Sequence, residues 1–117
     1  MRNAKEEMIE RLNSLKNIYG ADIICANITH TTYESYFTQD DQEDVETPAI
    51  TLKKGHTEAE FDEFLSKLDF EYDAGYGTQY VFGYVWLTNG VWMERGEYDG
   101  SEWWEWHKYP QIPDELL

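Results

Sequence analysis

The sequence predicts an α+β fold: an antiparallel sheet of about five strands, with two helices packed on one of its faces. Two observations support this prediction. Residues 80–109 alternate β-branched and aromatic side chains around two glycine-containing turns, which is typical of a C-terminal three-stranded meander. Upstream, two segments have helical periodicity and two others are short runs typical of strands. With 117 residues and no internal repeats, the chain is expected to form a single domain, 1–117.

The first helix is predicted over Asn3 to Tyr19, followed by Gly20. Glycine adopts the left-handed backbone that commonly ends a helix, so Gly20 is expected to form the C-terminal cap. The apolar side chains repeat at helical spacing and are expected to cover one face of the sheet. This stripe comprises Met8, Ile9, Leu12, Leu15, Ile18 and Tyr19.

Residues 22–32 and 48–54 are predicted to form two strands that pair with each other. Thr57-Glu58-Ala59-Glu60 is a capping-box pattern, which predicts the start of a second helix. Cys25 is interpreted as a small buried apolar side chain. His30 is interpreted as a satisfied strand histidine, because no second histidine or cysteine lies at metal-binding spacing. The second helix has an apolar stripe of Phe61, Phe64, Leu65 and Leu68.

Asn89-Gly90 predicts a two-residue type I′ turn, because both positions require φ > 0. That turn would place Trp86 opposite Met93, and Gly83 opposite Gly96, leaving room there for a large ring or a helix. One face would carry Tyr80, Phe82, Tyr84, Trp86, Met93 and Arg95. The other would carry Val81, Val85, Leu87, Trp92 and Glu94.

The aliphatic face is expected to form the core beneath the helices, because two helices on one side cannot cover both faces. The aromatic face, with Tyr84 and Trp86, is then expected to stay partly exposed as a partner surface or a homodimer contact. The alternative is that the helices cover the aromatic rings, which would serve as core.

The second turn, at Asp99-Gly100, is compatible with two registers. A two-residue loop places Glu94 opposite Glu105, and like charges in opposite positions are unfavourable. A three-residue loop with a glycine bulge places Glu94 opposite Trp104 instead. Charge therefore favours the three-residue loop, and the register decides which tryptophans share a face.

The formal net charge is −15, with 24 acidic and 9 basic residues. Such a surface repels nucleic acid and membranes and attracts basic proteins, although an acidic surface can also serve solubility alone. No apolar run is long enough to span a membrane, and the N-terminus lacks an apolar signal segment. The single cysteine excludes an internal disulfide. We therefore expect a protein of the host-cell cytoplasm.

The acidic residues concentrate in residues 34–46 and 58–73. The first segment is typical of a solvated loop; a partner contact and a Ca²⁺ site are the alternatives, although its spacing does not match an EF-hand. In the second segment, acids also suit the first turns of a helix. The predicted partner-binding residues are Asp40, Asp41, Glu43, Asp44, Glu58, Glu60, Asp62, Glu63, Asp73, Tyr84 and Trp86.

No enzymatic activity is predicted. No serine or cysteine lies in a nucleophile motif with a base, and glutamates near tryptophans arise readily in an acidic sheet protein. Arg95, among aromatic residues, is interpreted as a stacked structural arginine. No catalytic residue, cofactor site or metal site is expected.

Residues 92–104, WMERGEYDGSEWW, resemble a C-terminal signature of small acidic uncharacterised proteins of phages and mobile elements. With the preceding hairpin the resemblance covers about a third of the chain. The signature implies no particular activity. In size and charge alone, the chain also resembles the anti-restriction and anti-CRISPR inhibitors that imitate DNA.

These observations lead to the hypothesis of a non-enzymatic inhibitor that binds a basic nucleic-acid-binding host protein. DNA carries one charge per roughly 1.7 Å of its axis, and its binding proteins offer grooves lined with lysine and arginine. Rigidly placed carboxylates can compete for such a groove. The alternatives are an immunity protein or antitoxin that neutralises a nuclease toxin, and a small structural or assembly protein of a phage.

Overall fold

The computed structural model describes residues 1–30, 48–72, 79–98, 101–110 and 112–117. Its elements in chain order are β1 (Arg2–Asn3), α1 (Ala4–Tyr19), β2 (Ile23–His30), β3 (Ile50–Leu52), α2 (Glu58–Lys67), β4 (Glu71–Tyr72), β5 (Val81–Leu87), β6 (Val91–Tyr98), β7 (Ser101–Lys108) and a short 3₁₀ turn (Asp114–Leu116).

Five strands form one antiparallel sheet in the order β3-β2-β5-β6-β7, which confirms the α+β prediction and its C-terminal meander. A second, two-stranded sheet was not predicted. In it β1 pairs with β4, so that Arg2 lies opposite Tyr72. The adjacent Ala4 N–H donates to the carbonyl of Phe70 at 2.9 Å. These bonds tie the start of α1 to the segment that follows α2.

Both helices begin where their local sequence predicts, and α1 also ends at its predicted residue. The Asn3 side chain accepts from the Glu6 N–H at the start of α1, and Gly20 ends the helix with φ of 65°. At the start of α2, Thr57 and Glu60 form the predicted capping box. The apolar stripe of α1 is narrower than predicted, because Ile18 is 57% exposed.

The core lies between the helices and one side of the five-stranded sheet, which we call the inner face. The predicted aliphatic residues of β5 are buried there, as expected. The opposite side, which we call the outer face, carries the alternate residues of the same strands. The buried side chains on the sheet and helices include Met8, Leu15, Ile28, Phe64, Leu68, Val81, Val85, Leu87, Val91, Met93 and Trp104.

The register predicted for the β5–β6 hairpin is wrong by one residue. Asn89 and Gly90 do have positive φ values, 62° and 75°, as a type I′ turn requires. However, Trp86 pairs with Trp92 rather than with Met93. Thr88 lies outside the paired positions, and its N–H donates to the carbonyl of Asp22.

This register moves Met93 and Arg95 to the inner face, and Trp92 and Glu94 to the outer face. The physical reason is burial: Met93 now joins Val85 in the core, where both are fully enclosed. The predicted register would instead have placed the Glu94 carboxylate in the core, which is costly without a partner.

The two glycines expected to face each other do not pair. Gly83 lies opposite Ile28 of β2, and Gly96 lies opposite Trp103 of β7. A large ring does cover one glycine, since a Cβ on Gly96 would lie 2.7 Å from the Trp103 indole. The ring belongs to the outer face rather than to the helical layer.

The register predicted for the β6–β7 hairpin is also wrong. The strands pair Glu94 with Glu105 and Glu97 with Glu102, which is the arrangement that like-charge repulsion disfavours. Tertiary contacts reverse this preference, because the Glu102 carboxylate is buried against Arg95. The residues of the loop itself, Asp99 and Gly100, lie outside the described residues.

Candidate functional site

The outer face of the sheet is rich in aromatic rings that remain accessible to solvent. Tyr84 is 50% exposed and Trp86 is 43% exposed, which confirms the prediction that this side of β5 stays partly open. Tyr80 differs from the prediction, since it is buried. The exposed aromatic side chains on or beside this face are Phe82, Tyr84, Trp86, Tyr98, Trp103 and Tyr109.

Several rings of the outer face stack on a neighbouring ring. Tyr84 and Trp86 lie with their centroids 6.0 Å apart and their planes at 29°. On the neighbouring strands, Trp92 stacks on His107 at 4.4 Å and on Tyr109 at 6.1 Å. Such stacking restricts the rings, so they present flat surfaces at low entropic cost.

Two carboxylates lie beside these stacks, next to the imidazole of His107. Glu94 and Glu105 occupy directly opposite positions on β6 and β7, and His107 is two residues beyond Glu105. The His107 Nε2 lies 3.3 Å from an oxygen of Glu94. One ligating atom from each of the three side chains lies within 4.8 Å of the others.

The predicted acidic residues of α2 lie on the other side of the molecule. Because α2 buries Phe64 against the inner face, its exposed side points away from the sheet. Two of these acids have local roles: Glu60 accepts from the Thr57 N–H at 3.1 Å, and Glu63 lies 3.5 Å from Lys67. Hydrogen bonds from the Thr57 backbone and hydroxyl lower the pKa of Glu60. The exposed acids are Glu58, Glu60, Asp62 and Glu63.

The other predicted partner-binding residues, Asp40, Asp41, Glu43, Asp44 and Asp73, lie outside the described residues. The structure therefore separates the predicted set into an outer-face pair, Tyr84 and Trp86, and an acidic helix on the opposite layer. One flat partner surface cannot contact both of these at once.

A buried ionic cluster lies at the inner face beneath α1. Its centre is Arg95, whose side chain is 1% exposed, with Glu7 and Glu102 as its acidic partners. The Arg95 Nη1 lies 3.0 Å from Glu7, and its Nε and Nη2 donate to Glu102 at 3.0 and 2.9 Å. The guanidinium also lies 5.1 Å from the ring centroid of Trp104. Arg95 is therefore a stacked structural arginine, as the sequence indicated.

Backbone and phenolic groups complete this cluster. The N–H groups of Tyr80 and Val81 donate to Glu102 at 2.8 and 3.0 Å. Tyr72 donates its hydroxyl proton to Glu7 at 2.6 Å and accepts from Arg95 at 2.6 Å. Each buried carboxylate thus has several partners, which offsets the cost of removing it from water.

This environment raises two pKa values. Burial, followed by the hydrogen bond to Glu7, raises the pKa of Tyr72 above its usual value. Burial opposes the charge on Arg95, but Glu7, Tyr72 and Glu102 outweigh it, so the pKa of Arg95 also lies above its usual value. The cluster keeps Arg95 charged and Tyr72 neutral, which suits a structural role.

The two single candidates for ligand or nucleophile chemistry have ordinary surroundings. His30 stacks on Phe70 with centroids 4.2 Å apart, in agreement with its interpretation as a strand histidine. Cys25 lies opposite Trp86 and is half-buried, rather than buried as predicted.

Sequence reasoning missed the group formed by Glu94, Glu105 and His107. The signal was present: Glu105 and His107 are two residues apart, so they share one face of a strand. Glu94 joins them only in the register of the two-residue loop, which like-charge repulsion disfavours and the burial of Glu102 against Arg95 favours.

Comparisons of this chain with protein-family models, with curated proteins and with solved structures found no match. Among the residues that the structure describes, neither helix has the length and apolar character needed to cross a membrane.

Proposed function

We propose that this chain is a non-enzymatic inhibitor that binds a basic, nucleic-acid-binding protein of a host cell through its outer sheet face. The observation that carries the proposal is the partial exposure of the aromatic rings on the outer face. It places accessible rings, including Tyr84 and Trp86, beside the carboxylates of Glu94 and Glu105 in a chain of net charge −15.

This combination of groups is suited to lysine and arginine side chains. Aromatic faces attract ammonium and guanidinium groups through the ring quadrupole, and arginine also stacks on them. Carboxylates beside the rings add charge-assisted hydrogen bonds. Within this same chain, Lys108 already lies 4.8 Å from the ring centroid of Tyr19, and Arg95 stacks on Trp104.

The overall charge supports the choice of partner. A strongly acidic chain accelerates encounter with a basic surface and disfavours encounter with nucleic acid. A nucleic-acid-binding protein presents lysine and arginine to a phosphate backbone, so an acidic chain competes for the same groups. The acids of α2 and of residues 34–46 contribute to this long-range attraction, while the outer face supplies the rigid contact.

The proposal is tested by capture followed by competition. The full chain is used to capture partners from host lysate, and each captured protein is assayed for nucleic-acid binding with and without the chain. We expect a basic nuclease or defence effector that loses its nucleic acid when the chain is added. Recovery of a toxin encoded beside the chain would support the immunity-protein alternative instead.

Matched variants then locate the contact. Tyr84→Ser with Trp86→Ser is expected to weaken binding by about 2 kcal/mol or more, because aromatic anchors dominate interfaces. Glu58→Gln with Asp62→Asn, on the opposite layer, should have a much smaller effect. Reversing Asp40, Asp41, Glu43 and Asp44 to lysine should weaken binding mainly at low salt, since exposed charges are screened beyond about 10 Å at 0.1 M.

Two results would contradict the proposal. If the captured protein keeps full affinity for nucleic acid when saturated with this chain, the inhibitor function is wrong. If Tyr84→Ser with Trp86→Ser binds as tightly as the wild type, the outer face is not the anchor.

A further inference from the structure

On the outer face, three side chains are arranged in a way that suits the binding of a metal ion. Residues two apart on a strand point to the same side, so Glu105 and His107 are neighbours on β7. Glu94 lies directly opposite Glu105 on β6. The three side chains bring one oxygen or nitrogen each to within 4.8 Å of one another, and the His107 Nε2 is 3.3 Å from Glu94. Ligands about 2 Å from a shared tetrahedral ion lie about 3.3 Å apart, so the more widely separated atoms of this group reach ligating positions by side-chain rotation.

The charges in this group are poorly balanced by the protein alone. Glu94 and Glu105 are opposite each other, and like charges in that position are unfavourable. The His107 Nε2 contacts Glu94 at 3.3 Å, but an imidazole that donates a hydrogen bond in its neutral form adds no positive charge to balance two carboxylates. The inner-face pairing of Glu97 with Glu102 differs, because Glu102 is neutralised by Arg95. A divalent cation between Glu94 and Glu105 would remove the repulsion.

Two of the three potential ligands, Glu94 and His107, are partly buried and in contact with neighbouring side chains, whereas Glu105 is exposed. The His107 ring stacks on Trp92 with centroids 4.4 Å apart, and Trp92 in turn stacks on Tyr109. His107 and Glu94 are only partly exposed, at 36% and 37%. All three candidates lie on paired strands rather than on loops, which gives a site its geometric precision.

We propose that Glu94, Glu105 and His107 bind one divalent transition-metal ion of the Zn²⁺ class. Imidazole and carboxylate ligands suit Zn²⁺, Co²⁺, Ni²⁺ and Mn²⁺, whereas Ca²⁺ and Mg²⁺ prefer oxygen ligands alone. Three protein ligands leave at least one position of a tetrahedral ion open to water or to a side chain of a partner. The site shares Glu94 and Glu105 with the surface of the proposed inhibitor function, but its test uses the isolated chain and does not depend on that function.

The test is calorimetric titration of the full chain with Zn²⁺, together with the visible absorption of bound Co²⁺. We expect one Zn²⁺ ion per chain at this site and a Co²⁺ spectrum typical of nitrogen and oxygen ligands. Glu105→Gln should weaken Zn²⁺ binding by about tenfold or more, since even indirect support of a ligand can contribute that much. Ca²⁺ and Mg²⁺ should bind far more weakly than Zn²⁺.

Thermal unfolding provides a second measure of Zn²⁺ binding that is independent of the calorimetric titration. A ligand that binds only the folded state raises the unfolding temperature by mass action. Excess Zn²⁺ should therefore raise the unfolding temperature of the wild type, and raise it much less for Glu105→Gln. His107→Gln should behave in the same way, but because it also removes the stacking on Trp92, Glu105→Gln is the cleaner variant.

Matched controls separate this site from other acids and histidines. His56→Gln with Glu58→Gln makes the same chemical changes away from the outer face and should leave Zn²⁺ affinity unchanged. A variant with Asp40, Asp41, Glu43 and Asp44 replaced by Asn or Gln should also retain the ion. If Glu105→Gln and His107→Gln bind Zn²⁺ as tightly as the wild type, or if the wild type binds none, the proposal is wrong.

Discussion

Strands β6 and β7 carry a charged cluster on each face, and the two clusters differ in how their charges are balanced. On the inner face, Arg95 lies between Glu7 and Glu102 and is almost fully buried. On the outer face, Glu94 and Glu105 lie opposite each other, and the His107 imidazole lies 3.3 Å from Glu94. The same strand pairing thus produces a closed ionic cluster on one side and an open acidic group on the other.

The difference shows that the energetic cost of two carboxylates in opposite positions depends on whether they are buried or exposed to water. In the interior, each carboxylate must be paired because water cannot solvate it. At the surface, water tolerates two carboxylates at a modest cost. The inner cluster is therefore expected to contribute to stability, and the outer group is available for binding. Substitutions in the two clusters test this comparison.

The largest effect is expected for Arg95→Met. It removes the buried cation shared by Glu7 and Glu102. Glu102 then keeps two neutral backbone N–H donors. Glu7 keeps the Tyr72 hydroxyl and the more distant Arg2. Breaking one side of a buried ion pair costs about 3–5 kcal/mol. Urea denaturation should show this loss, while Arg2→Met, at a half-exposed arginine 3.7 Å from Glu7, should cost far less. An equal loss for both variants would contradict the distinction between the clusters.

An intermediate effect is expected for Tyr72→Phe, which removes the hydroxyl shared by Glu7 and Arg95. Loss of a buried hydrogen-bonding group costs about 1–3 kcal/mol. The pKa of Tyr72 is raised in the folded state, so its contribution is present below the usual tyrosine pKa of about 10 and is lost as the pH rises above it.

The pH dependence of the Tyr72 contribution to stability can be measured by comparing the wild type with Tyr72→Phe. The stability difference between wild type and Tyr72→Phe should be constant from neutral pH to about pH 9 and should shrink at higher pH. Denaturant unfolding at a series of pH values measures it. A difference that grows with pH would show that the folded-state pKa is lowered instead.

The smallest effect is expected for Glu105→Gln in the absence of metal ions. It removes the like-charge pair of the outer face and should stabilise the chain by about 0.2–1 kcal/mol. Glu102→Gln makes the same change on the inner face and should destabilise, because Glu102 accepts from Arg95 and from two backbone N–H groups. Opposite signs for the two variants would support the comparison; a shared sign would refute it.

Much of the architecture follows from local patterns. Asn3 and Gly20 mark the ends of α1, and the Thr57–Glu60 capping box marks the start of α2. These signals are local because a helix end must satisfy its own free N–H and carbonyl groups. The alternation in β5 likewise predicts a buried aliphatic face and an open aromatic one, and the exposure of Tyr84 and Trp86 confirms this.

The candidate site could be predicted only in part. Tyr84 and Trp86 were identified from the face they share, but the group of Glu94, Glu105 and His107 was not. Its members come together only when β6 and β7 pair in one register, and a shift of one residue sends alternate side chains to the opposite face. Strand propensity does not distinguish these registers, since both faces of β6 and β7 carry large rings and charges.

The sequence by itself determined the order of the two helices and of the five strands of the main sheet, the starts of both helices, the end of α1, the acidic surface and the open side of β5, because each depends on neighbouring residues or on composition. Only the tertiary structure decided the registers of both hairpins. The β5–β6 register follows from the burial of Met93 beside Val85. The β6–β7 register follows from Arg95, which gathers Glu102 from β7 and Glu7 from a distant helix. Such contacts join residues far apart in the chain, so their energy is absent from any local pattern.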